Sequence, residues 1–178
     1  MTERLAVPLD QLIERFTNGS APPDEEARQQ FSEELAKFFR VRSDEVAILA
    51  ITPGGNFLQF ILPRQLRTIG TIPLNSTNAL AARTARDRRA EALNNFSMVR
   101  HATVFEGVPL GRRQGETIQK IMSAPIVSQD KRVVGVVQIS RKGCSLADAG
   151  PDFTAAELRE LVGLGGALAK FVLACANS

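Results

Sequence analysis

Leu5, Leu9, Leu12, Ile13 and Phe16 recur at the three- and four-residue spacing of a helix face, and Asn18-Gly-Ser-Ala-Pro-Pro23 then breaks the pattern. A second helix is predicted over residues 24–40, with Ala27, Phe31, Leu35, Phe38 and Phe39 on one face and Glu33 four residues ahead of Lys37 on another. Residues 45–52 are apolar on both faces and β-branched at alternate positions, which suits a central strand. Pro53-Gly-Gly-Asn56 supplies a turn, and 57–62 returns as the partner strand of a hairpin. A short extended piece near 68–74 leads to a third helix, capped by Ser76 or Thr77 and running to about 93, with Ala79, Ala82, Ala90 and Leu93 facing inward.

Periodicity is weak over 94–116, where a short helix around 99–105 and a mobile, glycine-bounded basic loop over 107–115 are expected. A second hairpin follows, with strands over 118–127 and 132–140 joined by Ser128-Gln-Asp-Lys131. Gly135 inside its second strand marks a bulge or the close approach of another group. Thr154-Ala-Ala-Glu157 is a capping box with Phe153 and Leu158 as its hydrophobic staple, so a long last helix starts there. Beyond Glu160 that helix is apolar on nearly every face, with Leu161, Val162, Leu164, Leu168, Phe171, Val172 and Leu173 against a single charge, Lys170. A helix with one face on a sheet keeps its outer face polar, so this surplus calls for a second partner: the helix over 5–16, or another subunit in a homodimer.

The composition adds limits. With 178 residues, 44% of them apolar and 23% charged, the chain suits one globular domain with a core of its own. The division expected is a helix and linker over 1–23 and the domain proper over 24–178. No basic start with an apolar run resembles a signal peptide and no long uncharged apolar stretch suits a membrane span, so a cytoplasmic protein that stays off membranes is expected. Cys144 and Cys175 form no C-x-x-C pair and have a single histidine for company, which excludes a conventional zinc site. No cofactor is expected. The net charge is +3, but Arg83, Arg86, Arg88, Arg89, Arg100, Arg112 and Arg113 outnumber Asp87, Glu91 and Glu106 in one segment. Either an anion approaches there, or this is a solvated face with pairs such as Arg83 to Asp87.

Ile121-Met-Ser-Ala-Pro-Ile-Val127, a tight turn, Val134-Gly-Val-Val-Gln-Ile-Ser-Arg-Lys142 and then Phe153-Thr-x-x-Glu-Leu158 resemble the closing hairpin and last helix of GAF domains, the small-molecule-sensing relatives of PAS domains. The resemblance runs from about residue 24 onward. It implies an α+β, sandwich-like fold: a central antiparallel sheet of five or six strands, the N- and C-terminal helices on one face, and the third helix with loops over a ligand on the other. Of the residues associated with cyclic nucleotides in the family, Arg141-Lys142, Phe153 and Glu157-Leu158 keep only part, which weighs against such a ligand. Cys144 and Cys175 are remote from a pocket, which weighs against a covalent bilin and against the thiol set needed to reduce free methionine sulfoxide.

On that scaffold the candidate ligand contacts are Thr77 and Asn78 at a helix start, Arg83 above the pocket edge, Arg100 and the sole histidine His101, Phe105 from the covering segment, and Met122 with Gln138 on adjacent strands. Each has a plainer explanation: capping for Thr77 and Asn78, solvation for the arginines, packing for His101, Phe105 and Met122. Gln138 stands apart, because an amide inside an apolar strand must find hydrogen-bond partners among its neighbours or in a bound molecule. The expected function is a sensor of a small ligand, favouring an anion and acting through a dimer or a separate effector protein. The competing expectation is a structural or dimerisation module with no ligand. No nucleophile with a base, paired carboxylates or metal cluster supports an enzyme, and the absence of Tyr and Trp disfavours nucleic acid.

Overall fold

The structure is a computed structural model that describes residues 9, 11–15, 18, 21–98 and 115–176. Residues 11–15 are helical, and helix α1 (Glu25–Phe39) follows. Asp24 caps α1 by accepting from the Ala27 N–H at 2.9 Å, and Arg40 closes it in the left-handed region at φ 55°. Six strands form one antiparallel sheet: β1 (Val46–Ile51), β2 (Phe57–Leu62), β3 (Thr71–Pro73), β4 (Glu91–Leu93), β5 (Thr117–Val127) and β6 (Val133–Gly143). Their spatial order is β3-β2-β1-β6-β5-β4, which makes β1 central as its two-sided apolarity requires. The remaining helices are α2 (Leu80–Asp87), α3 (Ala155–Gly163) and α4 (Gly165–Ala176).

Successive strand residues point to opposite faces, and the core divides accordingly. Ile48, Met122, Ile126, Val137 and Ile139 face the layer made by Leu9, Ile13, α1, α3 and α4. Leu49, Leu58 and Val136 face the alanines of α2. Gly135 lies where β6 meets β1, and a Cβ there would overlap the Leu49 carbonyl oxygen, so the expected close approach is a backbone crossing within the sheet.

Three expectations need correction. The third helix starts at Leu80, with Ser76 Oγ accepting from the Ala79 N–H at 3.2 Å while Thr77 is exposed and caps nothing. It ends at Asp87, and residues 91–93 are a strand: hydrogen bonding to the otherwise open edge of β5 outweighs the helix propensity of Ala and Leu. The last helix is two helices that meet at Leu164, where Gly163, Gly165 and Gly166 weaken helical continuity. The apolar surplus is consumed inside the chain: Phe171 is fully buried and stacks on Phe31 with ring centroids 4.0 Å apart, in the same core as Leu9 and Ile13. Phe171 is therefore no dimer contact, and the part of that surface left exposed is Val162 and Leu173.

Candidate functional site

Val127 sits opposite Val133 across the second hairpin, and that register continued unbroken would set Met122 opposite Gln138 on one face. A register shift between Ile126 and Val127 moves the pairs from Ile126 to Lys120 by one residue, and a second shift between Ile118 and Lys120 restores the first register. Met122 consequently pairs with Ile139 and is fully buried in the helix-side core, as is Ala124, whereas Gln138 pairs with Ser123 on the face turned to α2. The two strand residues expected to line one pocket thus lie on opposite sides of the sheet.

On the α2 face a polar row crosses three strands, β6, β5 and β4, and ends against an alanine of β1. Ala47 of β1 is opposite Gln138 of β6, Gln138 is opposite Ser123 of β5, and Ser123 is opposite Glu91 of β4. Thr84 and Arg83 of α2 reach this row from above. Thr84 Oγ1 donates to the Leu80 carbonyl at 2.9 Å, which commits its one proton. In the 2.7 Å contact between Thr84 Oγ1 and Ser123 Oγ the proton must therefore come from Ser123. Ser123 is then free only to accept, which it does from Gln138 Nε2 at 3.2 Å. Counting protons thus orients the amide: Nε2 faces Ser123, and Oε1 has no hydrogen-bond partner among the described residues. Ser123 and Thr84 are 0% and 1% exposed while Gln138 is half-buried, so the relay runs from the core outward to an acceptor that no described residue uses.

Arg83 spends its charge at the other end of the row. Its Nε and Nη2 donate to Glu91 Oε1 at 3.0 and 2.7 Å, in place of the expected pairing with Asp87. Thr77 and Asn78 are exposed ahead of α2, apart from this row. Arg100, His101 and Phe105, the helix expected around 99–105 and the loop over 107–114 lie outside the described residues. Of the candidates, Gln138 and Arg83 come together on one face; Ser123, Thr84 and Glu91 complete the set and escaped the sequence reading. A serine at an alternate position of an apolar strand was the available signal for Ser123.

A second polar assembly closes the opposite end of the hairpin. Arg141 lies 4.0 Å over the Phe153 ring, donates to the Pro151 carbonyl at 2.8 Å and meets Glu157 at 3.4 Å, fastening β6 to α3. Arg42 bonds Asp44 and the buried Glu116 carboxylate, each at 2.9 Å, and hydrogen bonding to Asp44 first and Glu116 next holds its guanidinium proton well above the ordinary range. The positions that resemble part of a cyclic-nucleotide set are thereby occupied with joining elements of the chain. Cys175 belongs to the helix-side core, where burial pushes its thiol up to about 11, and Cys144 is exposed in the loop after β6.

No protein-family model matches the sequence, and no curated protein matches it. Solved structures do. The chain is similar to the GAF domain of a phosphoenolpyruvate-protein phosphotransferase from Acinetobacter, at 14% identity over 97% of this chain and 93% of the other, with a TM-score of 0.67. It is similar to a segment of a methyl-accepting chemotaxis protein at 13% identity, over 91% and 94% of the two chains, with a TM-score of 0.63. It is similar as well to the free methionine-R-sulfoxide reductase from Neisseria meningitidis in complex with its substrate, at 14% identity over 94% and 87%, with a TM-score of 0.59. The chain has a GAF-like α+β fold. None of the described helices is long and apolar enough to cross a membrane.

Proposed function

We propose that this chain is a sensory domain that binds a small molecule on the α2 face of its sheet, above the Gln138–Ser123–Glu91 row. The observation that carries the proposal is the oriented Gln138 amide: a half-buried side chain whose nitrogen is committed inward and whose oxygen is left as an acceptor among the described residues. A ligand completes it by presenting a donor, such as an amide, amine or hydroxyl group. Selection for an anion through Arg83 draws no support from the geometry, because Glu91 neutralises that guanidinium. The fold adds support, since one similar structure belongs to a methyl-accepting chemotaxis protein and another holds a substrate. Fold alone does not fix function, so the site residues carry the proposal.

A thermal-shift screen of nucleosides, amino acids, carboxylates and phosphates, each beside an analogue lacking its donor, tests it. A ligand at a hundredfold excess over its Kd stabilises by about 2.7 kcal/mol. Hits are expected to need a donor and to lose their effect in Gln138→Leu. A structural module without ligand is favoured by one observation, that the Ser123 and Thr84 hydroxyls satisfy each other. Absence of hits decides for the module, and hits indifferent to Gln138→Leu refute the Gln138 site.

A further inference from the structure

Helix α2 ends and the β5–β6 turn begins at one place on the surface, where Arg88 donates to the Lys131 carbonyl. Arg88, Arg89 and Lys131 are exposed, and none of the three has a carboxylate partner among the described residues. Arg132, next along the turn, is already paired with Asp130 at 2.6 Å, and Ser128 and Arg132 hold that carboxyl below its usual range. Among the described residues, charge without a carboxylate partner therefore gathers on three adjoining side chains. Arg88 and Lys131 also adopt φ values of +53° and +66°, which glycine adopts at less cost, so each position gives up stability and supplies a surface charge instead.

The other side of the same turn borders a groove of about 780 Å³ against α4. Leu164, Ala167 and Leu173 give it an apolar floor, with Leu173 47% exposed, while Arg132 and Lys170 stand at its rim. A phosphate backbone answers the cations and leaves this floor unfilled. A peptide with carboxylates beside a leucine-like side chain answers both.

We propose that the β5–β6 turn, with the end of α2 and the α4 groove, is a docking surface for an acidic, leucine-bearing segment of a partner protein. The carboxylates of that segment meet Arg88, Arg89 and Lys131, and its apolar side chain enters the groove over Leu173. This surface is separate from the α2 face of the sheet, so Gln138→Leu leaves docking unchanged, and failure of either proposal is seen independently.

The experiment is selection of a displayed random-dodecapeptide library on the full chain. Enriched peptides are remade with a fluorescein label and titrated by anisotropy against the parent, Arg88→Glu/Lys131→Glu, Leu173→Ser and the distant control Arg64→Glu, each checked for folding by circular dichroism. Enriched peptides are expected to combine Asp or Glu with Leu, Ile or Phe. Their affinity is expected to fall at least tenfold on charge reversal, several-fold in Leu173→Ser and with added salt, and to be unchanged in Arg64→Glu. The surface variants all sit at exposed positions, and if Leu173→Ser fails to fold the charge reversal still decides. No enrichment, peptides without acidic residues, or affinities indifferent to charge reversal overturn the proposal. Tighter binding of a duplex oligonucleotide or of phosphatidylglycerol vesicles overturns it as well. So does a dimer mass in light scattering that Arg88→Glu/Lys131→Glu abolishes, which makes the occupant a second copy.

Discussion

Replacing Ser123 with alanine deletes one oxygen at the point where the Thr84 and Gln138 side chains meet, and the relay fixes what each neighbour loses. Thr84 keeps its bond to the Leu80 carbonyl and loses only a donor, whereas the Gln138 amide nitrogen loses its only acceptor among the described residues. A typical intramolecular hydrogen bond contributes about 0.5–1.5 kcal/mol net, and a half-buried amide recovers part of its loss by taking up water. The expected cost is about 1–2 kcal/mol, which a domain with about 5–15 kcal/mol of stability survives folded. With no Trp or Tyr in the chain, far-UV circular dichroism during urea titration is the assay. A cost near zero, or a gain, refutes the hydrogen-bonded relay. The stronger check is the cycle of Thr84→Val with Gln138→Leu: the two side chains share Ser123 as partner, so their effects must fail to add by at least about 0.5 kcal/mol. Additivity means that Ser123 transmits nothing between them.

Phe171→Ala is expected to cost about 3–5 kcal/mol, because a ring with no exposed surface is stacked on Phe31; Phe171→Glu should abolish folding rather than yield a folded monomer, as circular dichroism and gel filtration will distinguish. Gly135→Ala drives a Cβ into the Leu49 carbonyl oxygen and is expected to lower stability by about 1–3 kcal/mol in the same urea assay. Iodoacetamide should modify Cys144 in the native protein and both cysteines in urea, counted by mass spectrometry. Because burial raises the Cys175 thiol from 9.0 to about 11, the fold prefers its neutral form: that contribution is whole below pH 9 and lost as pH rises through 11. The midpoint of unfolding should therefore drop between those values, and less so in Cys175→Ala.

Local chemistry made much of the fold legible. Asp24 as cap and Phe31, Leu35 and Phe39 as a face define α1 to within a residue at each end, because helix boundaries are written in side chains that bond the nearby backbone. The Thr154–Glu157 capping box is present with both its bonds, at 3.1 and 2.7 Å, for the same reason. What stayed hidden depends on contacts distant in sequence. Nothing near Leu93 says that the edge of β5 is open and that residues 91–93 will close it. The abundance of apolar residues after Glu160 pointed equally to the first helix and to another subunit, and only the buried positions of Leu9 and Ile13 in the core around Phe171 show that the chain covers this surface itself.

The candidate site was legible in part, and its limit has a definite cause. Alternation within β5 groups Ile121 with Ser123 and Met122 with Ala124, and alternation within β6 groups Val136 with Gln138; each grouping is correct. Which group of one strand shares a face with which group of the other depends on whether the register sum is odd or even, and a one-residue shift exchanges the answer. The shift between Ile126 and Val127 makes that exchange, taking Gln138 from the side of Met122 to the side of Ser123. It also brings the amide to Ser123, which in turn meets Thr84, the residue that gives the row its direction. A helical threonine flanked by Ala81, Ala82 and Ala85 has few outlets for its hydroxyl except the carbonyl four residues back and whatever polar group lies opposite. The placement of Thr84 among the alanines of α2 was therefore an independent pointer to a polar position on the facing strand, and Ser123 is the residue of β5 that meets it.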